Sequence, residues 1–230
     1  MSLYVLVPGA GGSAWYWSRV APLLEKAGHT VLPIDLPGDD PALGLPDYVD
    51  IVVEAIGARS DVVLVAQSLG GFTAPLVGQR VPLTRIVLVN AMVPTPGETA
   101  GDWWGNVGAA DARVEAAQRH GYPTEFDLQT YFLHDVDPAI AAEGEPYQRA
   151  QSNTVFEAAC TFAAWPAVPI QVICGADDRI FPLDLQQRLA RHRLGVEPDV
   201  VPGGHLVALS QPELIADRLL RDGARPPAAT

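Results

Sequence analysis

Five short apolar runs set the rhythm of this chain. Positions 3–7, 30–34, 62–66, 86–89 and 170–174 are four or five residues each and rich in valine, leucine and isoleucine. A strand with one face in water would alternate apolar and polar, so unbroken runs suit strands of a parallel sheet covered on both faces. Between them the period lengthens. Val20, Leu23, Leu24 and Ala27 share one face of a helix expected over 18–27, with Gly28 as its stop. Ile51, Val52, Ala55 and Ile56 mark a second helix, for which Asp47 is the expected cap. Leu185, Leu189 and Leu194 line a helix after Pro182. Leu214, Ile215, Leu219 and Leu220 line a last one, with Pro212 in its first turn. Strand–helix alternation of this kind predicts an α/β fold, a doubly wound and mostly parallel sheet.

The rhythm breaks over 94–168. Pro94, Pro96, Gly97, Gly101, Gly105 and Gly108 punctuate the chain there, followed by alanine-rich helical patches and aromatics (Trp103, Trp104, Tyr122, Phe126, Tyr131, Phe132, Trp165). No strand–helix unit is recognisable in this stretch. It reads as a helical lid inserted into a single domain spanning 1–230. The tail 223–230, with Pro226 and Pro227, is expected to fray.

Composition narrows the class. The 230 residues are 48% hydrophobic and 18% charged, which excludes a disordered or collagen-like chain. Net charge is −12 and Lys26 is the only lysine, so a nucleic-acid partner is not expected. The same charge disfavours strongly anionic substrates unless charge at the site itself decides otherwise. The first apolar run breaks at Pro8-Gly9, and no later one reaches eighteen residues. Neither a signal peptide nor a membrane span is expected, and the protein is read as cytoplasmic, a monomer or homodimer. Cys160 and Cys174 lack metal or redox spacing and read as core residues. His29, His120, His134 and His192 read as structural or solvated.

Two stretches carry chemistry. Gly9-Ala10-Gly11-Gly12-Ser13-Ala14 follows a strand, and Asp35 ends the next one, which on paper is a dinucleotide fingerprint. Trp15-Tyr16-Trp17 crowds the place where a phosphate loop should tighten, Pro8 stiffens its start, and no Tyr-x-x-x-Lys pair exists. The second stretch is Ala66-Gln67-Ser68-Leu69-Gly70, a strand–turn–helix of A-x-S-x-G form. Holding a serine at so tight a turn demands small flanking residues. The turn exposes the Ser68 hydroxyl and aims the Leu69 N–H at a developing oxyanion. An acid loop, 175–182, follows a strand and offers Asp178, with Asp177 as competitor. His205 follows Gly203-Gly204 before the last helix. Chain order Ser68, Asp178, His205 is that of a nucleophile, an orienting acid and a general base on such a sheet. The Gly9-Ala10 loop then supplies a second oxyanion donor, the Ala10 N–H.

With these residues the sequence resembles the α/β-hydrolase superfamily, in particular its small methylesterase and hydroxynitrile-lyase-like branch. The carrying stretches are 5–12 with Trp15-Tyr16-Trp17, Leu23-Leu24-Glu25, Asp35-Leu36-Pro37-Gly38, Ser68-Leu69-Gly70-Gly71, 178–182 and Gly204-His205. The family's His-Gly opening is Pro8-Gly9 here, and its Gly-His before the serine is Ala66-Gln67. Leu206 stands where the branch's cyanide-handling lyases carry lysine. The resemblance implies a serine hydrolase cleaving a small ester through an acyl-enzyme, with no metal and no cofactor. A lyase or C–C bond hydrolase on the same triad, and a non-catalytic small-molecule binding protein, are the alternatives.

Overall fold

The run Leu3–Val7 forms β1 inside a six-stranded sheet, flanked by β2 (Thr30–Pro33) on one side and β3 (Val62–Gln67) on the other. The computed structural model describes residues 1–221, so the expected fraying of 223–230 lies outside the described residues. Beyond β3 come β4 (Arg85–Val89), β5 (Ile170–Gly175) and β6 (Asp199–Val201), giving the order β2-β1-β3-β4-β5-β6. Every neighbouring pair is parallel. The five apolar runs are the five longer strands. The sixth was not expected, because only Val201 of its three residues is buried and an edge strand this wet leaves no apolar run.

Eleven α-helices accompany these strands among the described residues, the last two after β6: α1 (Ala21–Lys26), α2 (Leu45–Ile56), α3 (Thr73–Arg80), α4 (Ala100–Asn106), α5 (Ala109–His120), α6 (Leu128–Tyr131), α7 (Pro138–Gly144), α8 (Thr154–Glu157), α9 (Leu183–Leu189), α10 (Val207–Ser210) and α11 (Pro212–Leu220). Two local expectations change. The first helix starts at Ala21 rather than at residue 18, with Pro22 in its first turn, while Ala14–Trp17 makes a separate 3-10 turn capped by the Ser13 side chain. Asp47 does not cap α2 as its first residue. It lies inside the first turn and accepts a 2.8 Å hydrogen bond from the Gly44 N–H, so Gly44 is the cap.

Side chains alternate across the sheet. Leu3, Val5 and Val7 pack with Val49 and Val52 of α2 and Val77 of α3. Tyr4 and Leu6 pack on the other face with Leu24 of α1 and Ile215 and Leu219 of α11. The chain leaves β1 toward β2 and returns past it to β3, so the carboxyl ends of β1 and β3 flank a topological switch point. In open α/β sheets that crevice is where ligands bind.

The segment between β4 and β5 holds α4–α8 and no strand of the main sheet. Glu98 ties its start to the stretch that follows α9. The buried carboxylate accepts from Arg193 Nη1 and Nη2 at 2.6 and 3.1 Å, from Asn106 Nδ2 at 2.9 Å and from the Thr95 N–H at 3.0 Å. Burial alone would raise its pKa, but the donors outweigh it and hold the carboxyl below its ordinary value. A carboxyl whose folded pKa is depressed adds stability above its unfolded value, and that stability is lost as pH falls through the folded one. Glu98→Gln should therefore cost about 3–5 kcal/mol at neutral pH. It should also flatten the loss of melting temperature on acidification. Thermal melts of both proteins between neutral and acid pH check this; parallel curves would contradict it.

Candidate active site

Ser68 stands at the switch point. β3 ends at Gln67, and Ser68 turns the chain into a 3-10 turn, Ser68–Phe72, that feeds α3. Its φ of +50° is left-handed, strained for a residue with a Cβ, and such strain is held only where surrounding structure enforces it. The flanks show what enforces it. A Cβ on Gly70 would sit 2.7 Å from the Pro8 carbonyl oxygen, and one on Gly71 would collide with the Met92 carbonyl. A Cβ on Gly9 would lie 2.7 Å from Ser68 Cβ, so the loop after β1 runs directly against the serine.

Three further strand ends converge on it. His205 Nε2 lies 3.0 Å from Ser68 Oγ, and His205 Nδ1 lies 2.8 Å from Asp178 Oδ2. Asp178 follows β5. Its Oδ1 accepts from the N–H groups of Ile180 and Phe181 at 2.8 and 2.9 Å, and its Oδ2 also accepts from Gln186 Nε2 at 3.3 Å. A carboxylate with that many donors is fixed in orientation. It makes Nδ1 the protonated nitrogen of a neutral ring and leaves Nε2 free to accept from the Ser68 hydroxyl. Asp177, the competing acid, is otherwise engaged: its Oδ2 accepts from the Gly203 N–H at 3.0 Å. His205 is buried and lies between the rings of Phe132 and Phe181, each with its centroid 5.2 Å away.

The backbone that carries His205 is held from both sides. Asn90 follows β4, is fully buried and has φ +45°. Its Nδ2 donates to the carbonyls of Gly204 and His205 at 2.9 and 3.2 Å, while its Oδ1 accepts from the Gly175 N–H at 2.6 Å. It thus links the ends of β4 and β5 to the histidine loop. Opposite, Asp135 Oδ2 accepts from the Gly204 N–H at 2.5 Å. Sequence reasoning missed Asn90, although a lone polar residue closing an apolar strand is a visible signal. Gln186 had none, since a glutamine on an amphipathic helix reads as solvated. Of the histidines read as structural or solvated, His120 and His192 are exposed. His134 is largely buried beside Gly204, and that burial, helped by the Arg179 charge, lowers its pKa.

The first glycine loop has no feature of a dinucleotide site left over. Asp35, the residue that would face a ribose, accepts from the Ala14 N–H at 3.0 Å and pairs with Arg149 at 2.6 Å. The Gly11 N–H donates to Gln151 Oε1 at 2.9 Å. Ala10 and Leu69 border the same cavity as Ser68, and Leu69 lies in a helical first turn, where N–H groups lack intrahelical partners. That cavity has a volume of about 410 Å³. Of the aromatics singled out in segment 94–168, Trp104, Phe126 and Phe132 line it, joined by Phe156. Trp103 and Tyr131 are instead buried in the core.

Both cysteines are buried, and burial pushes each thiol up to about 12, so neither is a thiolate nucleophile at neutral pH. Among the described residues no cluster of three or more His, Cys, Asp or Glu side chains could hold a metal ion, and no helix is long and apolar enough to cross a membrane.

Comparison with known proteins agrees with this architecture. Methylesterase 9 of Arabidopsis thaliana is 26% identical over 252 aligned positions, covering 96% of this chain and 98% of its own. Methyl jasmonate esterase 1 of Vitis vinifera is 33% identical over 105 positions, about 40% of each chain. Among solved structures, an extracellular alpha/beta-hydrolase from a Paenibacillus species superimposes with a TM-score of 0.78 at 20% identity, over 98% of this chain and 100% of its own. Polyneuridine aldehyde esterase superimposes at 0.77, also with 20% identity, over 96% and 98%. The sequence profile of the alpha/beta hydrolase family matches residues 4–218, nearly the whole chain, and this protein belongs to that family.

Proposed function

We propose that the protein hydrolyses small carboxylic esters through an acyl-enzyme on Ser68. The observation that carries the reading is the continuous chain Ser68 Oγ, His205, Asp178, with its 3.0 and 2.8 Å links at the sheet's switch point. Relatives named as methylesterases support it. In the first step Ser68 Oγ attacks the ester carbonyl carbon while Nε2 of His205 takes the hydroxyl proton. The resulting oxyanion is met by the N–H groups of Ala10 and Leu69. As the tetrahedral intermediate collapses, the carbon–oxygen bond to the alcohol breaks and His205 returns the proton to the departing alkoxide. Water then repeats the sequence on the acyl-enzyme and releases the acid and free Ser68. Asp178 stays ionised throughout, fixing the tautomer and stabilising imidazolium. Segment 94–168 serves as the lid, placing Trp104, Phe126 and Phe156 around the bound ester.

No step calls for a metal or cofactor, and Leu206, which stands where the branch's cyanide-handling lyases carry lysine, lines the cavity. The Ala10 assignment has its own test. In Gly9→Ala the new methyl would press on Ser68 and Gln67 and displace the neighbouring N–H. Turnover of p-nitrophenyl acetate should fall about 100- to 1,000-fold, the effect of losing one oxyanion donor. An unchanged rate would remove Ala10 from the reaction.

A further inference from the structure

One side chain of the cavity wall is left without a partner. Arg113, on α5, lines the cavity that holds Ser68, and it is the one residue with a fixed charge among the described lining residues. Its guanidinium carbon sits 4.9 Å above the Tyr131 ring centroid. Its Nη1 is sealed from solvent and has no acceptor. Every other described arginine donates to a carboxylate or a backbone carbonyl, as Arg193 does to Glu98 and Arg188 to the Val107 carbonyl. Arg113 alone among them makes neither a hydrogen bond nor an ion pair.

A guanidinium carries five donors, and a sealed donor without an acceptor loses free energy; Arg113 is half-buried, and Nη1 is its nitrogen that is both sealed and unbonded. The ring face of Tyr131 compensates the charge in part but accepts no directed hydrogen bond. The remaining wall is mostly apolar, including Met92, Trp104, Phe126 and Phe156, and its polar members Gln67, Ser68 and His205 hydrogen-bond elsewhere and not to Arg113. The planar fork of arginine matches a carboxylate with two parallel hydrogen bonds, and low dielectric strengthens that pairing. On a chain of net charge −12 a single unpaired cation at the nucleophile is where an anion would be selected.

We propose that Arg113 anchors a free carboxylate on the substrate, so that the preferred esters are half-esters of small dicarboxylic acids. This rests on the ester-hydrolase reading and names the substrate class of the same cavity. The test pairs p-nitrophenyl pentanoate with mono-p-nitrophenyl glutarate, which differ by a terminal methyl against a terminal carboxylate. After subtraction of the uncatalysed rates, wild type should favour the glutarate. Arg113→Met should lower kcat/KM for the glutarate about 10- to 100-fold, the span of a hydrogen bond to a charged group, and leave the pentanoate within about threefold. Arg113→Lys should restore part of the preference. An equal fall for both esters, or no change for either, overturns the proposal. Calorimetric binding of glutarate to Ser68→Ala, with and without Arg113→Met, reads the site apart from turnover. Binding that requires Arg113 supports the anchor even if neither ester is hydrolysed, an outcome that sinks the hydrolase reading alone. Hydrolysis at Ser68 with glutarate binding indifferent to Arg113 sinks the anchor alone.

Discussion

Replacing Ser68 by alanine should remove about six orders of magnitude from kcat for a p-nitrophenyl ester while leaving the fold intact. Knocking out the nucleophile of such a unit typically costs that much, and what remains comes from binding and oxyanion donors. Within the described structure the Ser68 hydroxyl meets His205 Nε2 at the cavity, so its loss leaves the imidazole facing a space that water can enter, not an orphaned group in the core. Alanine keeps the same Cβ in the left-handed turn, so the strain at φ +50° is unchanged. A melting temperature close to wild type, together with lost turnover, separates chemistry from unfolding. Retained turnover would transfer the reaction to another group.

Asp178→Asn should cost about 10⁴-fold in kcat, nearly isosterically. The reason lies in how the carboxylate is held. The N–H groups of Ile180 and Phe181 both donate to Oδ1, so an asparagine must place its carbonyl oxygen there. Its NH₂ then points at His205 Nδ1, the position now occupied by Oδ2. Nδ1 becomes an acceptor, the ring proton moves to Nε2, and the base can no longer take the serine proton. The amide also faces the Gln186 NH₂ donor to donor, which adds a stability cost. If Asp178 only filled space, kcat would be nearly unchanged. Steady-state rates on one ester decide between the two.

Much of this is legible in the amino-acid sequence. The five apolar runs are strands because parallel strands are buried on both faces, and burial is what hydrophobic pattern reports. The residues Ser68, Asp178 and His205 are legible because each follows a strand in a fixed chain order, with Gly or Ala close before Ser68 and His205, and the structure brings the three together. What stayed hidden depends on partners distant in sequence. Strand Asp199–Val201 is defined by pairing with β5 rather than by its own apolarity. The Asp47 role changed because a helix end is set by which N–H finds a side chain, and Asp47 reaches back to Gly44. Asp35, already set aside as a ribose ligand because of its crowded loop, has its partner in Arg149, 114 residues away, which no local pattern announces. Arg113 was invisible for the same reason in reverse: a missing partner leaves no trace in a sequence.

The central claim is that Ser68 is a nucleophile activated by His205. The most direct measurement is labelling of the folded protein with a fluorophosphonate, followed by mass-spectrometric mapping of the adduct. One phosphonyl group on Ser68, absent in heat-denatured protein and abolished by His205→Ala, is the predicted result. An unlabelled Ser68 in folded protein that still turns over p-nitrophenyl esters would contradict it.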